Sequence, residues 1–368
     1  MAGSWLHTFS FLLIFFSSSS QTFMEVLRIS PTESNFSWNV LTLDGDNIVA
    51  VSSSPVNVPQ IKYGCIVEKK TKAAAWSWLD VSSSIYKCSE KVRSLLSSLQ
   101  FSIMEIPVKD VSDSLTKGAS KPFEAIFVSS ISKKSDACDP LIVILHGGPH
   151  SVSLTSFSKS SAFLSSIGFS LLIVNYRGSL GFGEEALQSL PGKVGQQTHH
   201  EKGLPVHQKL QCLVVPWGFL TTHLIGQAPD KFVAAAVRNP VCNLALMVGT
   251  TDIPDWCYVE ACGSKGKDIF SEAPSADYLT LFHSKSPISH LSKVKTPTLF
   301  LLGAQDLRVP VSNGLQYARA LREKGGEVKV IVFPNDVHEI GRPQSDFESF
   351  LNIGVWFRKK FAEPLCEC

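Results

Sequence analysis

The chain has 368 residues, 44% of them hydrophobic and 18% charged, with 34 Lys and Arg against 32 Asp and Glu. That length buries a full core for one large domain or two ordinary ones, and a formal net charge of +2 without a polybasic run gives no electrostatic basis for binding nucleic acid. The nine cysteines are scattered, and Cys257 and Cys262 lack a second pair at ligand spacing, so neither a disulfide framework nor a metal site is expected.

Residues 1–24 read as a leader. An apolar stretch from Phe9 to Phe16 is followed by small residues, as in a short signal peptide, yet no Lys or Arg precedes Arg28. The stretch is too short to cross a bilayer as a helix, so no membrane partner is expected. A buried strand, an unstructured leader and a mis-assigned start are the other readings. An odd cysteine count and a single N-x-S/T pattern, Asn35-Phe36-Ser37, favour an intracellular, cytoplasmic protein over a secreted one.

Residues 25–115 alternate short β-rich runs with turn clusters. "SWNVLTLDGDNIVAVSSSP" predicts a hairpin around Asp44-Gly45-Asp46-Asn47, and "QIKYGCIV" a following strand. The segment reads as sheet without a helix, enough for about two propeller blades but not a closed ring. From about residue 116 the rhythm becomes strand, helix, strand. "PFEAIFVSS", "LIVILHGG", "SLLIVNYRG", "FVAAAVRNP", "TPTLFLLGAQD" and "EVKVIVFPND" are continuous apolar runs of the kind parallel strands show when both faces are covered. "VSNGLQYARALREKGG" predicts a helix with Leu315, Ala318 and Leu321 on one stripe, Ser312 as its cap and Gly325 as its end. A last helix, "QSDFESFLNIGVWFRKKF", repeats apolar residues at Phe347, Phe350, Leu351 and Val355. The fold class is therefore α/β: a doubly wound, mostly parallel sheet, preceded by a β-rich segment.

Three motifs fall at strand ends, where such sheets bind ligands. "LIVILHGGPHSV" ends a strand with His146-Gly147-Gly148-Pro149, where glycines let backbone N–H groups face a cleft and an oxyanion. An ordinary Gly-Pro turn is the plainer reading of the same residues. "FLLGAQDLRVP" ends another strand with Asp306, and "VFPNDVHEIGRP" a third with His338. Either residue alone would read as a cap or a satisfied polar group; their order and positions make an acid–imidazole pair.

At these residues the chain resembles the catalytic domain of the prolyl oligopeptidase family of serine peptidases, in its plant acylamino-acid-releasing branch. "HGGPH", "NYRGSLGFGEE", "DIPDWCYVEA", "GAQDLRVPVSNGLQYARALREKG" and "FPNDVHEI" carry the likeness over about residues 120–363, and residues 25–115 are similar to the end of that family's β-propeller. The resemblance implies a peptidase that removes N-acylated amino acids from blocked peptides, forms homo-oligomers and needs no cofactor or metal. It implies that Asp306 fixes the imidazole, His338 is the general base and the Gly148 N–H helps hold the oxyanion.

The same resemblance exposes a defect at about residues 198–217. Where the family carries Gly-Gly-Ser-His-Gly-Gly before "FLTTHLIG", this chain has "LVVPWG", so Val215 matches the nucleophile and Pro216 the second oxyanion donor, which as an imino acid has no N–H. Of the elbow's glycines Gly218 remains. "QCLVV" can serve as a strand, but "THHEKGLPVHQKL", with Gly203 and Pro205 inside it, is a poor covering helix. Cys212 lies three positions early and reads as a buried thiol, and His199, His200 and His207 do not make a zinc motif. The chain as it stands is expected to be inactive toward acyl-peptides, with a non-catalytic isoform or a subunit that binds intact enzyme as the alternative.

Overall fold

The computed structural model of the chain describes residues 11–18, 21–28, 35–70, 73–83, 85, 88–106, 123–131, 140–195, 212–216 and 218–362. They fall into two compact units, one within residues 1–102, 128–135 and 154–166, the other within 103–127, 136–153 and 167–368.

In the first unit β1 (Phe11–Ser18) pairs antiparallel with β2 (Gln21–Arg28). A meander follows: β3 (Ser37–Asp44), β4 (Asn47–Ser54), β5 (Asn57–Lys70) and β6 (Ala73–Ser83), adjacent in that order. The predicted hairpin is β3–β4, and its two-residue turn works because Gly45 takes φ +54°. Trp38, Ile48 and Ala50 pack with Trp76 and Trp78 on one face. Ile61, Tyr63, Leu79 and Val81 are exposed. The reading of this stretch as free of helix is corrected by α1 (Glu90–Ser97), whose first turn is capped by Ser89 accepting the Val92 N–H. At two turns, with only Leu96 buried, it shows no sustained apolar period. A second short helix, α2 (Lys159–Ser166), also belongs to this unit.

The large sheet adds β7 (Leu99–Ile106), β8 (Phe123–Ser130), β9 (Leu141–Leu145), β10 (Ser170–Val174), β11 (Cys212–Pro216), β12 (Phe232–Arg238), β13 (Thr298–Gly303) and β14 (Val328–Phe333). Its order is β14-β13-β12-β11-β9-β10-β8-β7, and the pairs from β10 through β9, β11, β12 and β13 to β14 are all parallel. β10 and β13 are buried at every residue, as their unbroken apolar runs require. From β9 the chain places β10 on one side and β11 to β14 on the other. The cleft at the carboxyl ends of β9 and β11 is thus the topological switch point, the ligand site of doubly wound sheets.

The remaining helices are α3 (Glu184–Gln188), α4 (Phe219–Gln227), α5 (Leu244–Met247), α6 (Pro254–Cys262), α7 (Ala276–Ser284), α8 (Val311–Glu323) and α9 (Pro343–Ala362). Two sequence expectations need correction here. α8 starts with Pro310 at the cap position, its φ of −49° already suited to a helix, and Ser312 is exposed inside the first turn with no capping bond. Its predicted end holds: Gly325 follows Lys324 with φ +81°. In α9 the expected stripe faces water at Phe347 and Val355, and the buried residues are Ser349, Ile353, Gly354, Trp356, Phe357 and Lys360. The helix is set by polar anchors that periodicity does not weigh: Trp356 Nε1 donates to the Ala235 carbonyl of β12 at 3.2 Å, and Lys360 Nζ to Glu327 at 2.7 Å.

Candidate active site

The acid arises where β13 ends. Gly303 is followed by a turn in which the Ala304 N–H bonds the Phe333 carbonyl and the Gln305 N–H the Asp336 carbonyl, tying the end of β13 to the end of β14. Only glycine fits at 303, because a Cβ there would lie 2.4 Å from the Val337 carbonyl oxygen. Asp306 is 4% exposed. Its Oδ1 accepts the Val309 N–H at 2.9 Å, and its Oδ2 faces His338 Nδ1 at 2.8 Å. An ionised carboxylate only accepts, so the proton of this contact sits on Nδ1 and the imidazole is held in one tautomer. The acid–imidazole pair expected from the sequence is therefore assembled, with His338 partly exposed on the cavity side.

Asn239, which sequence reasoning missed, positions the histidine's backbone. It is strained, with φ +40° just after β12; its Oδ1 accepts the Gly303 N–H at 2.8 Å and its Nδ2 donates to the His338 carbonyl at 2.7 Å. Strain of this kind persists only where the surroundings over-determine it. The Asn239-Pro240 dipeptide after an apolar run was the available signal. Asp336 supports the same loop by accepting from the Arg342 N–H and the Ser345 hydroxyl at the start of α9.

The glycine-rich loop after β9 is held from below. The His146 ring stacks on Tyr176 at 4.4 Å between centroids, its Nε2 lies 2.7 Å from Ser179 Oγ, and the Tyr176 hydroxyl donates to the His146 carbonyl at 2.7 Å. Burial holds the His146 imidazole below its ordinary pKa, keeping it neutral. Ser179 is fully buried and also accepts the Tyr176 N–H, so this Ser–His contact is structural. Gly148 takes φ +114°, a conformation that favours glycine. His150, at the end of the loop, meets the buried Glu260 of α6 at 2.9 Å, and that carboxylate raises the histidine's pKa.

β11 lies beside β9 in parallel register, with Val215 opposite Ile144 and Pro216 opposite Leu145. Gly218 then turns the chain into α4 with φ +34°. A Cβ at 218 would sit 2.0 Å from Pro240 Cα, so this turn is packed against backbone. The predicted strand "QCLVV" is thus present as β11. His199, His200, His207 and the segment "THHEKGLPVHQKL" lie outside the described residues, as do the side chains of Cys212, Val215 and Pro216. Among the described residues no group of three or more His, Cys, Asp and Glu could hold a metal ion, and no helix is long and apolar enough to cross a membrane.

These elements enclose a cavity of about 340 Å³. His338, Gly147, Gly148 and Asn239 line one part of it, and Phe219, Val241, Met247, Ile253 and Trp256 supply an apolar wall. The wall continues into a core of Leu244, Tyr258, Phe282 and Val309. Arg177, Arg308 and Glu260 add the charged lining, with Arg308 forked onto Asp252 at 2.8 and 3.2 Å. Chemically this is an apolar side-chain pocket beside an oriented imidazole and a glycine loop.

Comparison with known proteins agrees. Residues 13–93 match the family described as acylamino-acid-releasing enzyme, N-terminal domain, and residues 218–364 match the prolyl oligopeptidase family. The chain is 61% identical over 347 residues to the acylamino-acid-releasing enzyme of Arabidopsis thaliana, covering 91% of this chain and 45% of that protein. It is 35% identical to the acylamino-acid-releasing enzyme of Homo sapiens, covering 90% and 45% respectively. The chain thus spans about half the length of the curated relatives it matches. Among solved structures, the acylaminoacyl peptidase of Pyrococcus horikoshii superposes with TM-score 0.65 at 16% identity, over 87% of this chain and 55% of that one, a likeness of fold. Taken with the strand-end acid, imidazole and glycine loop, these matches give residues 218–364 the domain of the prolyl oligopeptidase family and residues 13–93 that of the acylamino-acid-releasing enzyme N-terminal family, in a chain similar to plant acylamino-acid-releasing enzymes.

Proposed function

We propose that this chain is an acylaminoacyl-peptidase scaffold that binds N-acylated peptides in the cavity beside His338 and does not cleave them. Residues 25–115 are then the remnant of a β-propeller and residues 116–368 the peptidase domain. Asp306 orients His338, His338 is the inherited general base and Gly148 the inherited oxyanion donor. The observation that carries the reading is the end of β11: Val215 and Pro216 occupy the last two positions of the strand that leads into α4, where a hydrolase presents its nucleophile. Valine has no group to attack a carbonyl, and proline no N–H for the oxyanion. Loss of a triad serine lowers turnover about a millionfold, and loss of one oxyanion donor a further hundred- to thousandfold in an otherwise intact site.

The test is to incubate the purified chain with a fluorophosphonate probe and, separately, with an N-acetylated peptide anilide. Neither covalent labelling nor release of aniline is expected. Turnover that disappears in His338→Ala would refute the non-catalytic reading. Retention of the chain by an immobilised N-acetylated peptide, reduced by a bulky Met247→Trp replacement in the cavity wall, supports the binding part. A location in the cytoplasm accords with this reading and is checked by fractionation.

A further inference from the structure

Glu260 lies in α6 with its side chain 2% exposed, on the wall of the cavity that also holds His338. Oε1 meets His150 Nε2 at 2.9 Å, while Oε2 is buried and has no hydrogen-bond partner among the described residues. A buried carboxylate oxygen without a donor is costly, and native structures keep one where something outside the chain supplies the donor. Glu260 is one of the residues that line the cavity, so a molecule bound there can supply the donor.

The charge balance indicates which kind. Glu260 holds the His150 imidazole above its ordinary pKa through their hydrogen bond, with the Gly178 carbonyl adding a smaller part, so this acid already has a basic partner of its own. Two guanidiniums, Arg177 and Arg308, line the same cavity, and Asp252 is engaged by Arg308. A ligand ammonium would therefore meet two guanidiniums beside a carboxyl group already paired with His150. A neutral N–H meets only the vacant acceptor.

We infer that Glu260 Oε2 accepts the amide N–H of an N-acylated residue, and that the His150–Glu260 pair thereby separates blocked from free peptide N-termini. The inference rests on the proposed function and adds the residue that reads the acylated nitrogen. Oε2 is buried, so binding brings it to the wall by a side-chain adjustment of the sort common on complex formation.

The experiment is calorimetric titration of the full chain with N-acetyl-leucine methylamide, its Nα-methyl analogue and leucine methylamide. In the unmodified chain Nα-methylation is expected to weaken binding about 10- to 100-fold, the worth of a hydrogen bond to a charged acceptor. In Glu260→Ala that penalty falls below about threefold, the comparison across variants cancelling the bulk of the methyl group. Glu260→Gln keeps the side chain's volume and guards against misfolding of the smaller variant; with its carboxamide oxygen accepting from His150 Nε2–H, its NH₂ stands where Oε2 stood and cannot accept, so its penalty is also expected to fall below about threefold. His150→Gln takes away the basic partner of this acid and shifts preference toward the free amine. An undiminished methylation penalty in both Glu260 variants overturns the inference alone. Failure of the unmodified chain to bind the acetylated ligand overturns the functional reading and the inference with it.

Discussion

Replacing Asp306 by asparagine exchanges one of its two accepted hydrogen bonds for a donated one, and the structure says which. The Val309 N–H, 2.9 Å from Oδ1, needs an acceptor, so the carboxamide oxygen must face Val309 and its NH₂ must face His338 Nδ1. An NH₂ cannot accept, so the imidazole proton has to move from Nδ1 to Nε2. A bond to a charged group is worth about 1.5–3 kcal/mol and a neutral one about 0.5–1.5, and both bonds lose the charge, which sets the stability loss of Asp306→Asn at about 2–3 kcal/mol. Asp306→Ala removes both bonds and leaves the buried Val309 N–H without an acceptor, for about 3–5 kcal/mol in all. Long-range ¹⁵N–¹H correlation spectra of the His338 ring at neutral pH read the tautomer, and urea unfolding reads the losses. A ring that keeps its proton on Nδ1 in the asparagine variant, or an alanine variant no less stable than the asparagine one, would refute the geometry argued here.

Gly218→Ala forces a Cβ to within 2.0 Å of Pro240 Cα at a residue with φ +34°, so backbone must move and the loss is about 3–5 kcal/mol by urea unfolding; a loss under about 1 kcal/mol would mean the turn is not packed as described. Burial, aided by the neighbouring His290, holds fully buried His223 at about 3, against 6.5 for the free side chain. Between those values the unfolded chain takes up a proton that the folded one does not. Stability should be unaffected by this group above pH 6.5 and fall below it by up to about 1.4 kcal/mol per pH unit. Urea midpoints at pH 7, 5.5 and 4.5 check this, with a flatter decline expected in His223→Gln. Restoring a hydroxyl with Val215→Ser should still give no fluorophosphonate labelling, because Pro216 supplies no oxyanion donor; labelling of the single variant would show that this donor is dispensable.

The inner strands of the parallel sheet were legible because strands covered on both faces carry no polar alternation, so β9, β10, β12 and β13 stand out as bare apolar runs, whereas β14, expected to be covered likewise, lies at the sheet edge with Lys329 and Val332 exposed. Asp306 and His338 were legible for a related reason: each follows such a run directly, and a residue at a strand's carboxyl end has its position set by chain order alone. Glycine told equally well where the backbone had to turn, at Gly45 and Gly325. The helix α1 was missed because one buried leucine in two turns leaves no period to read. The buried face of α9 was misread because a hydrogen bond from Trp356 to β12 and an ion pair from Lys360 to Glu327 rotate the helix away from its most apolar stripe.

What the sequence by itself determined is what depends on near neighbours along the chain: the alternation of strand and helix and the positions of the turns. What only the tertiary structure decided depends on residues far apart. Asn239 holds the His338 loop 99 positions away, and Glu260 meets His150 across 110, leaving one carboxylate oxygen with no donor among the described residues. The physical reason is that a hydrogen bond's strength and a carboxylate's cost are set by distance and burial in space, and neither quantity is a function of spacing along the chain.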